Sequence, residues 1–241
     1  MPSLDEISQI SMMNALKQLD VVSNNLANAN TPGFKSDSVH FQPFDNLLTE
    51  QIKSGMPTVG NVPSAQVAPN LSAGAMKQTG NPLDFAIQGD AFFELKAGEQ
   101  AFYSRTGSFT VAADGRLVNN NGLSVSGVDG DIYLQGGDIS VNRDGTVFEN
   151  GEEIGALKLT SFSSLEHLQK VGNGLWSSQS APQTPTEQAS IFQGYLEASN
   201  VEPVKEMTNM MMIMRQFESQ SRALKEYDGM MNSAISTIAD F

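Results

Sequence analysis

The chain has 241 residues, 39% hydrophobic and 17% charged, with a net charge of −13 at neutral pH and no cysteine. That charge argues against a nucleic-acid binder, which needs a basic face to neutralise phosphates. The missing thiols exclude disulfides, thiolate metal sites and a cysteine nucleophile, and the length suits one large domain or two small ones.

At the amino end, Met12, Leu19 and Leu26 recur every seven residues, with Ala15 and Val22 three residues after the first two. This apolar seam predicts a helix from about Leu4 to Leu26. Asn28, Asn30 and the turn Thr31-Pro32-Gly33 stop it, because proline and glycine do not continue a helix. Asp5 and Glu6 stand where a cleaved secretory signal carries positive charge, so any export is expected to use no such signal. No stretch of the chain approaches the length of an apolar membrane span.

Residues 35–80 are rich in proline, glycine, serine and asparagine and read as an extended connector. From Asn81 to about Ser178 the period changes to two. The alternation breaks at Asp114-Gly115, Asn121-Gly122, Asp129-Gly130, Asp144-Gly145 and Asn150-Gly151. Asp or Asn before Gly favours tight hairpin turns, so the middle reads as an antiparallel β domain of short strands. A return over Gln179 to Gln188 leads to the carboxyl end.

The carboxyl end carries a second seam. Met210, Phe217, Leu224, Met231 and Ile238 are spaced by seven, with Ile213, Gln220, Tyr227, Ala234 and Phe241 three residues further on. Arg215, Glu218, Arg222, Lys225, Glu226 and Asp228 lie between them, which makes one face apolar and the other wet. Pro203 suits a first helical turn, and Asn200 or Ser199 could cap it. Burying the five main seam side chains is worth on the order of 10 kcal/mol, at roughly 1.5–3 each, but only against another apolar surface. The fold class expected is therefore α+β, with long N- and C-terminal helices pairing as a coiled coil and a central all-β antiparallel domain. The corresponding divisions are 1–34, 35–80, 81–188 and 189–241, the first and last completing one discontinuous helical domain.

Little in the chain promises catalysis. Residues 140–151 resemble part of a calcium loop, but the first ligand position is Ser140 and the twelfth is Gly151, and a hairpin turn explains Asp144-Gly145 better. The two histidines, His40 and His167, have no metal-ligand spacing. The segment Gly122 to Ser126 lacks the last glycine of a nucleophile elbow. Asp84, Asp90 or Asp138 could serve a β-domain enzyme, although Asp84 and Asp90 read more readily as strand-end turn residues. An adhesive coiled coil is the remaining alternative. No cofactor, catalytic or metal site is expected.

One further signal lies in the motifs. The run VSNNLANANTPGFK from Val22 to Lys35 resembles the amino-terminal signature of the bacterial flagellar axial proteins, the rod, hook and hook-associated family. NPLDFAIQGDAFF over 81–93, YSRTGSF over 103–109 with DGRL over 114–117, and GYLEASNV over 194–201 with Glu206-Met207 and RQFE over 215–218 are similar to the same family. The order is the family's and the match spans nearly the whole chain; Ala91 departs, standing where glycine is usual before Phe92-Phe93. The length and the β domain fit the two larger rod subunits, and the segments Glu197–Val204 and Met214–Glu218 look more like the proximal one. The resemblance implies a non-catalytic subunit of the basal-body rod in the periplasmic space, exported by the flagellar type III apparatus. It implies other rod proteins and copies of itself as partners, with no nucleic acid and no membrane span. The assembly residues it implies are Met12, Leu19, Val22, Asn24, Asn25, Leu26, Asn28, Pro32, Gly33 and Phe34 on the amino side. On the carboxyl side they are Asn200, Val201, Met207, Met210, Met214, Phe217, Leu224 and Met231.

Overall fold

The computed structural model describes residues 4–41, 65–162, 168–178 and 189–239. His167, Phe241 and the return over 179–188 lie outside the described residues, as do residues 42–64 of the connector. The chain divides into two compact units. One, here the helical unit, comprises Met1–Ala29, Lys35–Leu71 and Val201–Phe241. The other, the β unit, comprises Asn30–Phe34 and Ser72–Asn200.

The helical unit contains α1 (Leu4–Ala27), the antiparallel pair β1 (Asp37–Phe41) and β2 (Ala65–Pro69), and α2 (Pro203–Ala239). α2 begins on a proline, whose missing N–H has no intrahelical partner at that position, and carries Glu206 in its first turn. Asn200, a candidate cap in the sequence, donates its side-chain Nδ2 to Ser72. Helices α1 and α2 lie against each other within this unit.

The expected coiled coil of long terminal helices is corrected here: among the described residues there are two helices, and they do not form one. A coiled coil seats each seam side chain in a hole of the facing helix. Here Met12, Leu19 and Leu26 of α1 and Met210, Phe217 and Leu224 of α2 are only half-buried, and Met231 is 48% exposed. Among the described side chains of α1, the buried positions are Ala15, Val22 and Asn25, two of them small or polar. At a companion position of the α2 seam, the Gln220 amide donates to Ser11 Oγ at 3.4 Å, a polar bond where a knob belongs. The broad α+β class, with two terminal helices and a large antiparallel β domain, fits what is observed.

The β unit is built from short strands joined by tight turns. Its largest sheet runs β14 (Leu168–Gly172), β15 (Leu175–Ser178), β6 (Gln100–Ser104), β5 (Phe92–Ala97), β9 (Ser124–Val125), β8 (Leu117–Asn119) and β7 (Phe109–Val111), and β13 (Leu159–Thr160) also pairs with β5. A second sheet joins β10 (Ile139–Val141), β11 (Thr146–Glu149) and β12 (Glu152–Ala156). Two pairs bring the carboxyl side of the chain back to the start of the unit. They are β16 (Ser190–Gln193) with β4 (Phe85–Gln88), and β17 (Tyr195–Glu197) with β3 (Met76–Gln78).

Phe85, Phe93, Leu95, Phe109, Leu117, Val125, Val147 and Ile191 fill one core. The Phe93 and Phe109 rings meet edge to face at 5.2 Å between centroids, a favoured aromatic geometry. Ile191 enters that core from β16, so the core is completed only by a strand that follows all the others but β17. The residues that looked like a calcium loop form the β10–β11 hairpin, with Gly145 at φ +95 and the Asp144 carboxylate accepting from the Thr146 amide at 3.0 Å. That hydrogen bond lowers the Asp144 pKa.

Candidate assembly surface

The asparagine-rich stop of α1 has a defined job. Asn25 is buried, and its side chain behaves like one residue of a strand. Its Nδ2 donates to the Asp37 carbonyl at 2.8 Å, and its Oδ1 accepts the Asp37 amide at 2.9 Å. Both backbone groups of Asp37, the first residue of β1, are thereby satisfied by a single amide. Asn28 closes the helix by donating its Nδ2 to the Asn24 carbonyl at 2.9 Å, while the Asn24 side chain stays exposed. Leu26 is half-buried.

The turn that follows belongs to the β unit. Gly33 sits at φ +68, and a Cβ there would stand 2.6 Å from the Thr106 amide nitrogen, so only glycine fits. Its N–H donates to the Glu197 carbonyl at 2.7 Å. Pro32 accepts from Thr106 Oγ1 at 3.1 Å, and the Phe34 ring holds the Lys170 ammonium 4.7 Å from its centroid, a cation–π contact.

Glu197 and Arg105 form the centre of this cluster, both buried. Their closest approach is 3.5 Å, from Nη1 of Arg105 to Oε2 of Glu197. Arg105 also donates to the Ile87 carbonyl at 3.3 Å and the Gly89 carbonyl at 2.6 Å, and its guanidinium lies 5.2 Å from the Phe92 ring centroid. Burial lowers its pKa, against the opposing pull of the Glu197 and Asp90 carboxylates. Glu197 Oε1 accepts the Gly74 amide at 2.8 Å. Asn200, three residues on, donates from Nδ2 to the Ser72 carbonyl at 3.1 Å and from its backbone to the Phe34 carbonyl at 3.4 Å. Val201, the next residue, is buried and opens the last segment of the helical unit.

Sequence reasoning assigned no role to Arg105, Glu197 or Gly74. The available signal was an arginine inside the motif Tyr103 to Phe109. The carboxylates considered for catalysis do not gather. Asp84 is buried and accepts from Asn81 Nδ2 at 3.1 Å, whereas Asp90 and Asp138 are exposed in turns. Among the described residues, no group of acidic, histidine or cysteine side chains could hold a metal ion.

The faces of α2 differ. Glu206, Asn209, Met210, Ile213, Phe217, Gln220, Leu224 and Tyr227 fall within about 100° of one another around the axis at 3.6 residues per turn, and all are half-buried. A second apolar stripe, beside it, is open: Val204 is 79% exposed, Met207 50%, Met211 55% and Met214 47%. These four recur at the i, i+3, i+7, i+10 spacing of a single helical face. Two of them, Met207 and Met214, are among the assembly residues the sequence suggested.

Comparison with known proteins follows this division. Residues 9–35 match a family described as flagella basal body rod protein, residues 86–149 the flagellar hook protein FlgE/F/G D1 domain, and residues 193–237 the flagellar basal body rod FlgEFG protein C-terminal family. Thus α1 with its turn, the β unit and α2 are each recognised separately. A flagellar basal-body rod protein FlgF of Caulobacter vibrioides is 35% identical over 233 residues, covering 92% of each chain. FlgF of Mesorhizobium japonicum is 30% identical, again over 92% of each chain. FlgG of Bacillus subtilis is 29% identical over 93% of this chain and 94% of its own. Identity at this level along nearly the full length of both partners, with all three segments in order, shows that the chain belongs to the flagellar basal-body rod protein family.

Proposed function

We propose that the chain is a structural subunit of the bacterial flagellar rod, of the FlgF kind, which places it in the proximal rod. It joins copies of itself and other rod proteins through the open face of α2. The observation that carries this reading is the stripe Val204, Met207, Met211 and Met214, four large apolar side chains left at least 47% exposed on a helix the family match includes. Exposed apolar side chains aligned on one face mark a contact surface, and methionine is enriched at interfaces because it adapts to its partner. The amino-side residues Asn24, Asn25, Asn28, Pro32, Gly33 and Phe34 serve that surface indirectly, by fixing how the chain leaves α1 and enters the β unit. In this reading the subunit reaches the periplasm through the flagellar type III export apparatus.

The test is to replace Met207 and Met211 together by glutamate. Neither side chain is buried, so the purified variant is expected to keep its thermal midpoint within a few degrees. Cells that depend on it are expected to lose swimming and to accumulate the subunit unassembled. Normal swimming by cells expressing only the variant would contradict the reading. Rescue of a strain lacking the proximal rod subunit, without rescue of one lacking the distal subunit, is the expected pattern for the FlgF assignment.

A further inference from the structure

We infer that Glu197 is a latch: a single buried residue that fastens every point at which the chain enters or leaves the β unit, so that these points are released together when it opens. The chain crosses the unit's boundary after Ala29, Phe34, Leu71 and Asn200. Each crossing lies within three residues of a bond in the cluster around Glu197. Its backbone carbonyl takes the Gly33 amide, its Oε1 takes the Gly74 amide at 2.8 Å, and its Oε2 faces Arg105 at 3.5 Å. The next residue, Ala198, donates to the Ala75 carbonyl at 2.8 Å, and Asn200 reaches both Ser72 and Phe34.

The cluster behaves as one unit for two physical reasons. Glu197 and Arg105 are both nearly inaccessible, with side chains 3% and 4% exposed, so removing the Glu197 charge leaves the Arg105 guanidinium buried without its nearest carboxylate. The backbone at the crossings also leaves no slack. A Cβ on Gly74 would overlap the Ala198 carbonyl, and one on Gly33 would strike the Thr106 amide. A shift of the 197–200 segment therefore displaces Gly74, against which the Ala198 carbonyl lies, and reaches Gly33 through its hydrogen bond to the Glu197 carbonyl. Leu117 and Ile191 take their own acceptors outside the cluster, the Ile132 and Arg143 carbonyls.

Native-state hydrogen exchange on the full chain tests this. In the unaltered protein, the Gly33, Gly74, Ala198 and Asn200 amides are expected to open in one step. They should share one dependence on denaturant, at lower denaturant than Leu117 and Ile191. The substitution Glu197→Gln keeps the shape and removes the charge. It is expected to speed exchange at Gly33, Gly74 and Ala198 together by about a hundredfold, the scale set by an unpaired buried charge, while Leu117 and Ile191 change by less than about threefold. Gly33 is the decisive probe, since its direct acceptor, a backbone carbonyl, is untouched by the change. Separate opening of Gly33 and Gly74 in the unaltered protein overturns the inference without any variant. Equal acceleration of all amides in Glu197→Gln, Leu117 included, overturns it as well.

Discussion

Gly33 and Asn25 show how much a single position in the amino-side turn carries. Placing alanine at Gly33 sets a Cβ 2.6 Å from the Thr106 nitrogen in a left-handed backbone conformation. The strain and overlap together are expected to cost about 2–4 kcal/mol. Asn25→Ala removes the two hydrogen bonds that its side chain makes to the Asp37 amide and carbonyl in a part-buried place. About 1–3 kcal/mol is expected there, at roughly 0.5–1.5 for each lost hydrogen bond, and chemical denaturation measures both. An unchanged midpoint for Asn25→Ala would refute the assignment. The sequence showed Gly33 as part of a turn signal and Asn25 only as a residue of the family motif. It did not show their partners, because a side chain standing in for a strand neighbour leaves no periodic trace. Arg105 was hidden for a related reason: its value lies in Glu197, which arrives at the far end of the chain.

Helices and hairpins were legible to different degrees. Asp and Asn before glycine marked the turns well, because positive φ is a local property: Gly115, Gly122, Gly130, Gly145 and Gly151 all have it. The heptad spacing in α2 marked a real face, the half-buried one around Phe217 and Leu224, but spacing alone does not say how deeply a partner covers it. Gln220 and Tyr227 at companion positions were the warning, since a well-seated seam has no place for them. The consequence for stability is measurable. Leu224→Ala, on the half-buried face, is expected to cost about 1–2 kcal/mol, below the usual core range. Leu95→Ala, at a position with no exposure, is expected to cost about 3–5 kcal/mol. Equal losses would show that α2 is seated far more tightly than its exposure indicates. The open stripe from Val204 to Met214 was missed as a stripe, because its spacing runs beside the heptad and only the structure separates the two faces.

At the scale of the whole molecule, the β unit is assembled from both ends of the chain. Its core receives Ile191 and its cluster receives Glu197 only after residues far upstream have been placed. The order of motifs made the family legible in the sequence, since their residues are tied to local turns and strand starts. The closure by β16 and β17 was not legible, because it rests on pairing between positions more than a hundred residues apart. The central claim is that the α2 stripe docks on other rod subunits, and the absence of native cysteine makes that claim directly testable. A Met214→Cys variant carries the only thiol on the chain, at a position 47% exposed. Cross-linked in swimming cells that express no other copy, it is predicted to yield a covalent adduct with a second copy or with another flagellar rod protein, identified by mass spectrometry. Recovery of the uncross-linked chain alone from such cells would contradict the account.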